Sequence, residues 1–526
     1  MADEATVLLG LGDIAEIAGV GRSAVSNWRR RHPTFPVPHQ TGASGDLFAA
    51  DEIERWLLEN GKISTGLPPE RLLWGSANLL REVWSPEQIM RFYVSALVYL
   101  VACRRSADLD RRIPVDVPAE LHWKRLREQD PAARSNQLPM VAMTLEQRNP
   151  LLHGLLTLGF LQPLPPDPRA IDAIFDGLQA LLEAEPDSGE ELFRTILEQF
   201  TDLDRFSQAY FTPRDLVQLM VDVAAPTGRV ILDPACGRGG LLMHAVHATG
   251  PAQHDSHAIG LDVNEEVVTT ARARFFVHDM PAELSVRNML RMPLNELPKA
   301  DTVLLDPPYG MQGWGDAELY RDGRWSFGSP PPKSADFAWL QVALRSLTKG
   351  GRAVVALPVG STFRGGQEQR IREALVKAGH VEAVIHLPPN MRVDTSIRLA
   401  LWILRETAQP DTPVLLIDAS KLGTAGRTSR ELKEDDVRVL THALRSWRAE
   451  AKVVDNDLLL AAAVHATELQ DGDLTPARYL QLDEEADLGG LAACASYLAR
   501  ELAENRRRLD PLIDRFVAEF DQEGEA

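Results

Sequence analysis

Val230-Ile-Leu-Asp-Pro-Ala-Cys-Gly-Arg-Gly-Gly240 is an apolar run that ends on an acid and breaks into a glycine-rich turn. The run reads as a buried strand, and the stretch from Leu241 to about Ala248 reads as the helix that follows it. Gly237, Gly239 and Gly240 can take positive φ and let a ligand approach the backbone. A phosphate loop would continue with Lys-Ser/Thr, and this one does not; the Gly-x-Gly-x-x-Gly spacing of dinucleotide sites is also absent. A plain glycine turn with a helix-capping Asp233 is the structural alternative.

Working outward, strands are predicted at Ala258–Val263, Ser285–Asn288, Thr302–Leu305, Ala353–Leu357, Ala383–Leu387 and Leu399–Leu404. Helical stretches lie between the first six strands of the series. Strands alternating with helices predict an α/β fold with a doubly wound parallel sheet. The last two strands are joined by a loop without an obvious helix, which predicts an antiparallel hairpin at one edge. Such a sheet binds ligands at the carboxyl ends of its strands. The second strand ends in Gly260-Leu261-Asp262, and an acid there can accept hydrogen bonds from both hydroxyls of a ribose.

The run Thr302-Val-Leu-Leu-Asp-Pro-Pro-Tyr-Gly310 ends another apolar strand on a second acid. Pro307 and Pro308 fix φ and remove two backbone donors, so the local carbonyls are left as acceptors facing a ligand. An exocyclic amine offers two N–H donors and a lone pair delocalised into its ring. Acceptance of both hydrogens, by the Asp306 carboxylate and the Pro307 carbonyl, would draw the nitrogen toward tetrahedral geometry and free the lone pair for in-line attack on a sulfonium methyl. Tyr309 offers a flat face for a base, which must leave its duplex to reach such a pocket. Proximity and orientation then supply most of the rate, and no metal is required.

The 526 residues are enough for three or four domains at roughly 100–200 residues each. The divisions expected are 1–62, 68–200, 201–410 and 411–526. Net charge is −19, which argues against a chain that grips nucleic acid over its whole surface and points to a partner that shares the work. Cys103, Cys236 and Cys494 lie far apart and form no CxxC pair, so a reducing compartment is expected and no zinc site. No leader and no membrane-spanning run is read, so the expected place is the cytoplasm.

The Asp-Pro-Ala-Cys-Gly-x-Gly-Gly run, the Asp-Pro-Pro-Tyr run and Ala209-Tyr-Phe-Thr-Pro-Arg214 together resemble DNA adenine-N6 methyltransferases. Further segments resemble, more narrowly, the modification subunits of type I restriction systems. They include Leu72-Leu-Trp-Gly-Ser-Ala-Asn-Leu-Leu-Arg81, Arg324 to Gln341, Gly350 to Pro358, Phe363-Arg-Gly-Gly366, Ile385-His-Leu-Pro-Pro-Asn390 and Thr475-Pro-Ala-Arg-Tyr479. The resemblance implies a Rossmann-like class I methyltransferase sheet behind a helical domain, with S-adenosylmethionine as cofactor. It implies cofactor contacts from Phe211, Thr212, Pro213, Asp233, Ala235, Gly237, Gly239, Gly240, Asp262 and Asn288. Phe211 would pack on the cofactor, Thr212 would bond its carboxylate and Asp233 would lie near its amino-acid end. The residue-level alternative makes Thr212 a helix N-cap with Pro213 in the first turn. The partners implied are double-stranded DNA, a separate specificity subunit and a restriction subunit. Two departures stand out: the family commonly has Asn at the place of Asp306, and an Asp often found after the third strand is Asn288 here. An RNA or protein-glutamine substrate, or a non-catalytic DNA-binding regulator that keeps the pocket, are the competing readings.

Ahead of this region, Leu11 to Arg31 reads as helix, glycine turn, helix, with Ser23 as N-cap of the second helix. Val25 and Trp28 would face inward, and Arg22, Ser26, Asn27, Arg29, Arg30 and Arg31 would face DNA. With the glycine-rich hairpin near Gly42 and the amphipathic run Asp51 to Leu57, this resembles excisionase- and MerR-like winged helix-turn-helix modules. A module for protein contact is the alternative. At the other end, Leu488, Leu491, Ala495, Leu498 and Leu502 form a seam that predicts a long helix docking on a partner, or packing on its own domain.

Overall fold

The computed structural model describes residues 8–479 apart from 43–44, 65–79, 81–82, 107–110, 164, 166–167, 185–188, 202–211, 227, 250–255, 322, 393–396, 427–428 and 455–457. The expected C-terminal helix, Phe211, Cys494 and all but Leu80 of the segment Leu72 to Arg81 lie outside the described residues.

The first elements are β1 (Leu8–Gly10), helices Leu11–Ile17 and Arg22–Arg31, β2 (Gln40–Gly42), β3 (Gly45–Ala49) and helix Ala50–Glu59. The strands form a small antiparallel sheet in the order β1-β3-β2. Leu9, Ile14, Val25, Phe48, Ile53, Trp56 and Leu57 make its core. The second helix begins two residues earlier than expected: Gly21, not Ser23, is its N-cap, with no side-chain bond, and Ser23 lies inside the first turn.

A helical layer follows. Its long member, Pro86–Arg105, opens with Ser85 and Gln88 in a reciprocal capping box and is buried almost throughout. Around it pack helices Pro131–Arg148, Arg169–Ala184 and Gly189–Thr201.

Among the described residues the main sheet has nine strands: β4 (Val230–Asp233), β5 (His257–Asp262), β6 (Ala282–Val286), β7 (Ala300–Leu305), β8 (Leu347–Pro358), β9 (Val381–His386), β10 (Leu399–Arg405), β11 (Val414–Asp418) and, after the short hairpin β12 (Thr424–Ala425) and β13 (Arg430–Glu431), β14 (Leu460–Val464). Their order is β14-β11-β9-β10-β8-β7-β4-β5-β6. Alternation within a strand divides two cores. In β10, Leu399, Leu401 and Ile403 join one, while Ala400, Trp402 and Leu404 join the other. Helices Arg214–Ala224 and Glu434–Glu450 cover the first face; helix Asp336–Arg345 covers the second.

Three expectations need correction. The antiparallel strand β10 is not at an edge. It lies between β8 and β9 and is antiparallel to both, and the sheet continues through β11, parallel to β9, to β14. Two strands of the sheet therefore come from beyond residue 410, so the division drawn there cuts through one layer. Between β6 and β7 there is no α-helix but two 3-10 turns, Met289–Arg291 and Leu294–Glu296. A proline at 293 and only thirteen residues between the strands leave little room for more.

Candidate active site

β4 pairs in parallel with β5 on one side and β7 on the other. That pairing brings three acids to adjacent strand ends: Asp233 closes β4, Asp262 closes β5 and Asp306 follows the last residue of β7. The glycine turn and the Asp-Pro-Pro-Tyr run, whose acids Asp233 and Asp306 are 73 residues apart in sequence, thus frame one cavity of about 480 Å³. Its wall includes Thr212, Asp233, Ala235, Gly237, Gly240, Asp262, Asn288, Asp306 and Pro308, with Met289, Trp314 and Trp339 as apolar surface. A volume on this scale and a mixed lining suit a nucleoside-sized ligand.

Asp233 is 2% exposed. Its Oδ1 accepts the Ala235 N–H at 3.1 Å. Burial pushes its carboxyl well above the usual carboxylate range; the Ala235 N–H opposes this, and the charges of Asp306 and Asp262 add to it. Asp262 holds the glycine turn: its Oδ2 accepts the Gly237 N–H at 3.1 Å and its Oδ1 the Asn264 N–H at 3.0 Å. Each of its oxygens keeps a second lone pair for hydroxyl donors at the cavity. Gly237 and Gly239 have φ of 53° and 76°, as expected. Gly240 does not have positive φ; it starts helix Gly240–Ala248, and what it supplies is space, since a Cβ there would sit 2.7 Å from Arg274 Nη1. Asn288 caps the first 3-10 turn, its Oδ1 accepting from the Leu290 N–H at 3.1 Å.

Of the two readings of Thr212, the structure rules out the helix N-cap. Helix Arg214–Ala224 has Pro213 as N-cap, and no side chain caps it. The Thr212 hydroxyl instead donates to Asp306 Oδ2 at 2.8 Å. The Tyr309 hydroxyl donates to Asp306 Oδ1. Burial first, and then the charge of Asp306, hold the Tyr309 hydroxyl well above the ordinary tyrosine range, so it remains a donor. Pro307 is buried and Pro308 exposed. The loop is braced from below: the Gly310 N–H, at a φ of 58°, donates to Asp336 Oδ1 at 3.2 Å, and Arg364 donates to Asp336 Oδ2 at 3.1 Å.

The sequence reading missed three of these groups: Arg392, Asp336 and Arg364. Arg392 Nη1 reaches Asp306 Oδ2 at 3.2 Å. Asp336 and Arg364 fall in segments that carry the resemblance, but nothing in their own spacing marks them. Arg392 follows the segment Ile385 to Asn390, and a lone arginine in a loop has no pattern to betray it.

The residues expected to face DNA divide. Arg22, Arg29, Arg30 and Arg31 are exposed. Arg29 pairs with Asp46 of β3 at 2.7 Å and lies over the Phe48 ring, so it ties helix Arg22–Arg31 to the hairpin. The Ser26 hydroxyl donates to the Arg22 carbonyl at 3.1 Å, and Asn27 accepts from Arg30.

The model of the N-6 DNA Methylase family matches residues 186–487, more than half of the chain. The type I restriction enzyme HindI methylase subunit of Haemophilus influenzae is 28% identical over 303 residues, covering 55% of this chain and 68% of the relative. The MpnII methylase subunit of Mycoplasma pneumoniae is 25% identical over 336 residues, covering 59% and 61%. The crystal structure of a type I restriction-modification methyltransferase subunit from Streptococcus thermophilus superposes with a TM-score of 0.64 at 23% identity, over 78% of this chain and 99% of that one. That likeness is one of fold: a mixed α/β molecule built on a large, mostly parallel sheet.

Proposed function

Because the chain belongs to the N-6 DNA Methylase family, we propose that it transfers a methyl group from S-adenosylmethionine to the N6 amino group of adenine in duplex DNA, as the modification subunit of a type I-like restriction-modification system. The observation that carries this reading is the convergence of the Asp233 and Asp306 strand ends on one cavity.

The residues present fit the cofactor. Asp262 has acceptor capacity left for ribose hydroxyls, Asp233 is a buried acid able to face an ammonium group, and Gly240 leaves the room a Cβ would fill. Bound cofactor supplies an electrophilic methyl on a sulfonium. The chain's own part is to hold the amine. Asp306 accepts one N–H and the Pro307 carbonyl the other, which pyramidalises the nitrogen and aims its lone pair. Tyr309, through its hydroxyl, fixes the rotamer of Asp306 and keeps its ring beside the base. Asp336 and Arg364 keep the loop at its height.

A specificity partner and a restriction partner belong to the same proposal. So does a role for the first 62 residues as a winged helix-turn-helix with Arg22, Arg30 and Arg31 toward phosphates. The small sheet, the two helices joined by a glycine turn and the exposed arginines support it. Labelled cofactor, duplex DNA and a specificity protein would test the activity: label at adenine N6, lost in D306A, is expected. Label in RNA or protein instead, or none anywhere, would overturn it.

A further inference from the structure

We propose that Arg392 is the positioning residue that makes a carboxylate workable at position 306, by supplying the counter-charge and a fixed donor to the oxygen that Thr212 also holds. The inference rests on the reading of Asp306 as the amine acceptor.

Asp306 and Arg392 side chains are 4% and 7% exposed, and the ion pair spans 3.2 Å. The same guanidinium lies 5.5 Å from the centroid of the Tyr309 ring. Arg392 therefore touches both side chains that the proposed function sets against the base, and the third donor, Thr212, shares its oxygen. A buried carboxylate without a counter-charge is costly. The cost is greater here, because Asp233 and Asp262 stand at the neighbouring strand ends and Asp306 already disfavours charge on Asp233. Remove the guanidinium, and the buried carboxylate stands beside two other acids with no cation to offset its charge or to hold its oxygen in place for the amine. A neutral carboxamide of the same shape accepts through its oxygen and needs no counter-charge. Arg392 and Asp306 thus form one device, and the need for the first disappears with the charge on the second.

The test is a double-mutant cycle on the full chain with its specificity partner and target DNA, using D306N, R392M and the double variant, with R392K as the conservative control. The proposal expects R392M to lower kcat about 30-fold or more with KM for DNA nearly unchanged, since breaking one side of a buried pair is costly. R392K should recover part of the loss. In the D306N background, itself slower than wild type, R392M should cost less than about threefold. Thermal melting of the wild type, both single variants D306N and R392M, and the double variant gives an activity-free reading: R392M should lower Tm by about 4 °C or more with Asp at 306 and by about 1 °C with Asn. Equal losses in both backgrounds, or an effect confined to KM, would overturn the pairing and make Arg392 a structural or DNA contact. A wild-type protein that methylates nothing while the melting cycle stays coupled would sink the functional reading and leave the pair intact.

Discussion

Asp233 sits at 2% exposure with two other acids at its side, in a place where a neutral group would be more stable. Its folded-state carboxyl is raised, so the native protein binds the proton more tightly than the unfolded chain does. The stability tied to that proton is present below about pH 4, the ordinary value for an unfolded Asp, and is lost as pH rises toward the folded value. D233N keeps the acceptor for the Ala235 N–H and drops the charge. It should melt higher than wild type at neutral pH by about 2–4 °C for each kcal/mol of relief, with the gap closing in acid. Cofactor affinity, measured by calorimetry, should fall at the same time. A D233N protein that is no more stable, or that binds cofactor as wild type does, would contradict this account of the residue. Tyr309 makes a second residue-level test. Y309F keeps the ring and removes the hydroxyl that holds Asp306. A hydrogen bond to a charged group is worth about 1.5–3 kcal/mol, so kcat should drop about 10- to 100-fold while DNA affinity holds. At this scale the site was half legible. Asp233, Asp262 and Asp306 announce themselves because each ends an apolar run, and strand ends are where ligands sit. Arg392, Asp336 and Arg364 act through tertiary contacts between distant loops, which no local pattern encodes.

The elements were more legible than their order. β4 has the bounds its apolar run implies, and β5 and β7 differ only by a residue or two, because buried parallel strands are continuous apolar runs. What the runs cannot say is which neighbour each strand takes. The absence of an obvious helix after β9 in the sequence points to an edge hairpin, yet β10 inserts between β8 and β9, and both its faces are buried. β11 and β14 escaped notice: one follows a mixed stretch and the other is short and partly exposed. The element on which the site leans hardest is the glycine turn against β5. A Cβ at Gly260 would lie 2.6 Å from Leu284, 3.0 Å from Cys236 Sγ and 3.1 Å from Leu242. G260A should therefore push the turn off the strand at a cost of about 1–3 kcal/mol, since a packed core cannot absorb the methyl. Denaturant unfolding should show a lower midpoint at unchanged m-value, and cofactor binding should weaken with it. Unaltered stability would mean that the turn is looser than its contacts imply.

Across the whole molecule, the helical layer and the sheet are joined through helix Glu265–Val277, which contributes Val268, Ala271 and Phe275 to the sheet's core and Ala273, Phe276 and Val277 to the helical one. Arg91 grips Glu266 at its start, and Arg105 donates to the Val277 carbonyl at 2.6 Å at its end. That helix follows the strand ending in Asp262 and packs against Gly239 and Gly240, so the two layers share the support of the glycine turn. Charge works on the same scale in the opposite sense. With a net charge of −19, the chain as a whole repels DNA, and its grip must come from local basic faces or from a partner. Each phosphate contact contributes about −0.9 to the slope of log K against log salt on duplex DNA. If Arg22, Arg30 and Arg31 meet phosphates, the triple alanine variant should flatten that slope by about 2–3, weaken binding equally on all sequences, and leave cofactor affinity alone. A slope that does not move would assign the first 62 residues to protein contact, and the DNA grip of the assembly would then have to be sought on other surfaces of this chain and on its partner.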